Sequence, residues 1–410
     1  MIDIVTSFTI KKDGHEDEVT CFGKLDESAR KIELHYELNS VGSILMRAED
    51  FWGKKLVLSV KSTDAQIYII YGCFFSQQTL ALSSSGMGTL TGSFESLIKQ
   101  KSPFEKHHSV TFSFVDLEKV FPLIEFQVSR TDYHGPVYIS RPALDQEKYT
   151  INDTLSAAII SRFDGIPSDS CAEIHISQEK YITVDSIIDK TAIELLDLLS
   201  SIKQYIEFLC SQEIQLRNIS FSSKKDTGYS LAEVVTAPLL IPNTFVKKID
   251  SNPYRQSKED FFAGLHGWLE NNEKYSRVIE IWKKTIYNTN VSDEDIFIWR
   301  CQAFELLCAL TDEIKDEAYN NLAPDQSNPN VRNYLTVVSS RYDIARSFSD
   351  YYSDVKDVRD KLTHNNPKKT VTEDQIKNAY GLINHFLIAT IAMIMGIKCR
   401  LPMFILKPKK

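Results

Sequence analysis

Arg359-Asp360-Lys361-Leu362-Thr363-His364 sets a permanent cation and a side chain that exchanges protons near neutrality five positions apart. That pairing offers general acid or base chemistry beside a fixed positive charge. The residues Tyr351, Val355, Val358 and Leu362 recur at i, i+4, i+7 and i+11, so they trace an apolar helical stripe with Arg359 along its edge. Asn365, Asn366 and Pro367 follow at once, which places His364 in the last helical turn or just past it. Exposed carbonyls at a helix C-terminus favour a protonated imidazole. The spacing alone does not make a site, because Arg30 and His35 repeat it. That copy lies in the alternating run Ile32, Leu34, Tyr36, Leu38, which predicts a half-buried strand, where an odd spacing sends the two side chains to opposite faces.

The elements that must position Arg359 and His364 are helical. Periodicity predicts helices over Ser257–Tyr287, Ser292–Asn321, Asn330–Phe348, Tyr351–Thr363 and Thr372–Ile397, with acidic residues in first turns at Asp293 and at Thr372-Glu373-Asp374. Cys301 and Cys308 sit seven apart among Phe304, Leu307 and Leu310, a core pattern without a completed metal-ligand set. The apolar run Gly381–Ile397 contains Asn384 and His385 and barely reaches the length of a membrane span, so a buried bundle helix is expected.

Ahead of the helices the chain reads as β. Runs at Ile2–Ile10, Glu18–Leu25, Lys31–Leu38, Leu56–Val60, Gln66–Phe75, Ser109–Val115, Ile124–Val128 and Val137–Ile139 predict a sandwich or barrel, and Ser83–Ser93 is the most loop-like stretch. Between Tyr149 and Pro253 the pattern is α+β, with a hairpin over Cys171–Ile176 and Lys180–Val184, an apolar helix over Thr191–Cys210 and a returning strand at Ile214–Phe221. A separate domain and an elaboration of the first sheet both fit that ordering. The proline-punctuated stretch Ile241–Pro253 marks a boundary. The fold class expected is therefore α+β: a β-rich, sandwich-like module over 1–148, an α+β extension over 149–253, and an all-α bundle over 254–410.

Composition narrows the class. Hydrophobic content of 43% and charged content of 25% suit a globular chain. Seven cysteines in no regular spacing, and a first segment without a basic or apolar signal region, point to a reducing cytoplasm with no membrane partner. Net charge is −8, yet from Ser257 onward 21 Lys plus Arg balance 21 Asp plus Glu, so the deficit belongs to the first 256 residues. Lys356, Arg359, Lys361, Lys368 and Lys369 form a local basic patch, offset by Asp354, Asp357 and Asp360; phosphate contacts to a small structured RNA are compatible with it. His107, His108 and His134 read as surface or turn residues. HExxH, GxSxG, Walker and GxGxxG signatures are absent, as is any close carboxylate set for a two-metal nuclease, so no metal and no cofactor are expected.

Three segments carry a family likeness: Phe297–Leu307, Val358-Arg-Asp-Lys-Leu-Thr-His-Asn365, and the apolar closing helix Ala379–Ile397. Residues 257–401 resemble a HEPN domain, and the whole chain resembles the ApeA-type anti-phage HEPN proteins. Val19–Leu25, Ile67–Cys73 and Thr79-Leu80 are similar to the opening strands of that family's N-terminal module. Asp360 fills the polar position after the arginine, where Asn, Asp or His is usual. Glu305 falls in the second-helix segment, where related proteins often carry an acid; it either orients the active site or serves as a solvated or paired structural residue. The resemblance implies a homodimer, formed through the HEPN domain, that pools two copies of Arg359 and His364 in one cleft. It further implies metal-independent endoribonuclease activity leaving 2',3'-cyclic phosphate and 5'-hydroxyl ends, with transfer RNA as substrate and abortive infection as outcome. The N-terminal module would then sense a phage-derived trigger or restrain the nuclease. A non-catalytic HEPN protein that binds nucleotide, RNA or a partner as scaffold or sensor is the alternative.

Overall fold

The structure is a computed structural model, and it describes residues 1–12, 15–37, 55–80, 87–102, 104–114, 117, 121, 127–130, 137–140, 148–167, 174–225, 228–236, 257–287, 291–324, 326–344, 346–364 and 371–398. Six antiparallel strands close into a barrel. Around the ring run β1 (Ile2–Lys12), β2 (His15–Asp26), β3 (Lys31–Glu37), β6 (Met87–Ser93), β5 (Ile67–Leu80) and β4 (Leu56–Ser62), which returns to β1. Alternation does the sorting: Ile32, Leu34 and Tyr36 point inward with Ile4, Leu58, Val60, Phe75 and Leu90, while Lys31 and Glu33 face out. The stretch Ser83–Ser93, expected as loop, contains β6. Its glycines are there for close approach, since a Cβ at Gly88 would meet the Tyr36 ring and one at Gly92 the Phe74 carbonyl.

Past the barrel the sheet keeps going. The first half of β5 pairs with β7 (Ser96–Lys99), and the order continues through β15 (Gly228–Thr236), β14 (Leu216–Lys225), β8 (Lys106–Phe114), β13 (Ile174–Thr191), β12 (Leu155–Pro167) and β11 (Tyr149–Thr150). A separate ribbon joins β9 (Gln127–Arg130) to β10 (Val137–Ser140). The strands after Tyr149 thus share one sheet with β8. The described part of the hairpin expected over 171–184, residues 174–184, is instead a piece of the single long strand β13, whose antiparallel partner is β12, and 171–173 lie outside the described residues. His107, expected at a surface or turn, is fully buried within β8, its ring 5.5 Å from that of Phe221; His134 lies outside the described residues.

Helix α1 (Ala192–Cys210) follows β13 directly. Thr191 caps it, accepting from the Glu194 N–H while the Glu194 side chain accepts from the Thr191 N–H. It is apolar on more than one side because it is covered on more than one side. Leu195, Leu199 and Ile202 are buried, and Tyr205 and Phe208 reach into the helical half against Phe261, Trp268 and Trp282. The Tyr205 hydroxyl donates to the Phe261 carbonyl at 2.8 Å. One hydrophobic core therefore runs from the open sheet through α1 into the bundle, while the barrel keeps a core of its own.

The bundle comprises α2 (Lys258–Asn271), α3 (Ser276–Tyr287), α4 (Asp293–Leu310), α5 (Asp312–Asn320), α6 (Val331–Tyr342), α7 (Tyr352–His364) and α8 (Glu373–Ile394), with a 3₁₀ segment over Arg346–Tyr351. Two long helices expected from the pattern are each broken, and one contact joins the breaks. Tyr275 turns into the core between α2 and α3, and its hydroxyl meets Thr311 Oγ1, in the break between α4 and α5, at 3.1 Å. The third, expected over Asn330–Phe348, stops at Tyr342 because Asp343 takes a left-handed conformation (φ 56°). Helix α8 is buried along most of its length, and among the described residues no helix is long and apolar enough to cross a membrane.

Candidate active site at the edge of the bundle

Helix α7 packs its stripe inward. Val355 and Val358 are fully buried and Tyr351 and Leu362 half-buried against the same core, so the stripe is spent within the subunit. Asp354, expected as a solvated offset to the lysines, is buried as well, its Oδ1 accepting from Gln375 Nε2 at 3.2 Å. This packing leaves Arg359 on the shoulder of α7, beside α4.

There Arg359 Nη2 donates to Glu305 Oε2 at 2.7 Å, and Nη1 lies 3.8 Å from Asp360 Oδ1. Lys356 Nζ stands 3.9 Å from Asp360 Oδ2 on the same face. Burial pushes the Glu305 carboxyl above the usual carboxylate range, and the Arg359 guanidinium pulls it part of the way back. The Val331 backbone, at the start of α6, faces the same carboxylate. Side-chain exposure is 27% for Arg359 and 19% for Glu305, so the pair sits at the surface with one side still open. A guanidinium carries five N–H donors; the bond to Glu305 occupies one of them, and a partly exposed guanidinium with donors to spare is a group that can hold a phosphate.

The structure brings Arg359, Asp360, Glu305 and Lys356 together across α4 and α7, and Lys361 is half-buried on α7. The backbone of His364 closes α7, while its ring lies outside the described residues, as do Lys368 and Lys369. Cys301 and Cys308 are fully buried, and burial raises both thiols, so they stay neutral in the core. Among the described residues no cluster of three or more His, Cys, Asp or Glu is arranged to hold a metal.

Two cavities are formed by described residues. One of about 800 Å³ lies on the open sheet, lined by His108, Ser109, Thr111, Lys148 and Asp185 among others, far in sequence from Arg359. A smaller one of about 330 Å³ includes Lys356 and lies between α6, α7 and the turn before α6. Sequence reasoning passed over its amides. The density of Asn and Gln over 320–333 is the signal that points to them.

The family model of ApeA N-terminal domain 1 matches residues 3–266, more than half of the chain. The chain belongs to the ApeA family. That family serves anti-phage defence and is linked to HEPN nucleases. No curated protein and no solved structure matches the chain. The ApeA match takes in the barrel, the open sheet and α1, and it ends within α2, so Arg359 and Glu305 belong to the helical region beyond it.

Proposed function

We propose that this ApeA-family protein is a metal-independent endoribonuclease whose helical region, a HEPN bundle, cuts transfer RNA in anti-phage abortive infection. The observation that carries this reading is a half-exposed arginine oriented by a half-buried carboxylate, five residues ahead of a histidine at a helix end. In the reaction, one His364 takes the proton from a ribose 2'-hydroxyl and the 2'-oxygen attacks the adjacent phosphorus. The bond from phosphorus to the 5'-oxygen breaks, and a second His364 protonates that oxygen. Arg359 holds the charge that builds on the equatorial oxygens. Cyclic 2',3'-phosphate and 5'-hydroxyl ends remain.

One chain holds one Arg359 and one His364, whereas this chemistry asks for base, acid and cation at one phosphate. A two-fold pair of chains supplies them. With the apolar stripe buried, the pairing surface runs along the outer side of α7. The barrel and sheet sense the trigger or restrain the bundle. The test is cleavage of transfer RNA by the full chain in EDTA, with end groups mapped. Arg359→Ala and His364→Ala, each folded as judged by circular dichroism, are expected to lose at least about 100-fold in rate. Undiminished cutting by either variant, or loss on chelation with recovery in magnesium, contradicts the proposal.

A further inference from the structure

The cleft of about 330 Å³ beside α7 is at the small end of ligand pockets, which run from about 300 to 1,000 Å³. Asn321, Gln326, Asn330, Arg332, Asn333 and Lys356 supply most of its polar lining, and among the described residues no carboxylate lines it. The acceptor ends of three of these amides are occupied. Asn330 Oδ1 accepts from the backbone N–H groups of Arg332 and Asn333, at 3.0 and 3.4 Å. Asn333 Oδ1 accepts from the Asn330 N–H at 3.0 Å, and Gln326 Oε1 accepts from Asn333 Nδ2 at 3.4 Å. Among the described residues no protein partner is seen for Asn330 Nδ2, Gln326 Nε2 or the Arg332 guanidinium. Among the described residues the lining therefore offers more open donors than open acceptors.

Its position ties it to the site. Lys356 stands 3.9 Å from Asp360, the neighbour of Arg359, and Val331, between Asn330 and Arg332, faces the Glu305 carboxylate. Resting on the ribonuclease reading above, we propose that this cleft holds one unpaired RNA base next to the scissile phosphate, selecting a base such as guanine that presents carbonyl and ring-nitrogen acceptors. Arginine and lysine read guanine O6 and N7 in this way, and a guanidinium plane can also stack on a splayed base. Adenine turns an amino donor toward the same donors and is disfavoured.

Two arms test it. In the first, the full-length His364→Ala chain is titrated with short single-stranded RNAs that differ only by guanine or adenine at one position. Guanine is expected to bind about tenfold more tightly, and Gln326→Ala or Arg332→Ala in that background to erase the difference. In the second, wild type and the same two variants cut a pool randomised at one position, and the base flanking the cut is read. The variants are expected to flatten a guanine preference. Equal binding of the two RNAs, or an unchanged preference in both variants, overturns the cleft assignment. Absence of cutting by wild type with the binding difference intact overturns the ribonuclease reading instead and leaves the cleft as an RNA-base site.

Discussion

Glu207 and Glu305 both sit on largely apolar helices and both pair with a cation, yet their surroundings divide them. Glu207, on α1, is fully buried where α1 meets α3: Lys203 and the Tyr287 hydroxyl bond its carboxylate, and the Ile214 N–H donates to it at 3.2 Å. Burial among these groups holds the Tyr287 phenol protonated and pushes the Lys283 ammonium below its ordinary range. Glu305 has one cation and an open side. A carboxylate enclosed on every side fastens two regions, whereas one at an edge can orient its arginine toward something that arrives from solvent. The first region carries the fold and the second is free to carry chemistry.

The largest effect that sharpens this contrast is expected at the junction. Glu207→Ala leaves a nearly buried ammonium, a phenol and a backbone N–H without their shared acceptor, and should cost about 3–5 kcal/mol in denaturant unfolding. A cost near zero would erase the distinction. At the edge the cost is smaller. Arg359→Ala should lower stability by only about 1 kcal/mol, since the pair is partly solvated. That cost should depend on pH. Glu305 titrates above its unfolded value of about 4.3, so its stabilising contribution is complete below that pH and declines as pH rises through the raised folded value. Without Arg359 the folded value climbs further and the decline moves to higher pH. Unfolding midpoints of both proteins between pH 4 and 8 measure this, and parallel curves would show that the pair is not coupled.

Much of the architecture is legible in the residues because period and burial agree. Alternation exposes the barrel strands, and i, i+4 spacing exposes α4, α7 and α8. The misreadings have physical causes. Gly88 and Gly92 suggest a loop but serve close strand contacts in β6, and β13 runs unbroken through a stretch that imitates a hairpin. The helix breaks at Tyr275 and Thr311 come from a side-chain contact between residues distant in sequence. At the site, Arg359, Asp360 and His364 are adjacent in the chain and so visible as a motif. The Glu305 bond to Arg359 is a tertiary fact, as is the amide cleft, which no periodicity encodes.

In the proposed reaction two chains pool Arg359 and His364 around one phosphate, and subunit mixing tests that directly. Folded Arg359→Ala protein is added in increasing excess to a fixed amount of wild type while transfer RNA cleavage is followed. The expected result is a rate that falls steeply as mixed pairs replace wild-type pairs. A rate that stays fixed by the amount of wild type present would mean that each chain acts alone, and would contradict the shared site.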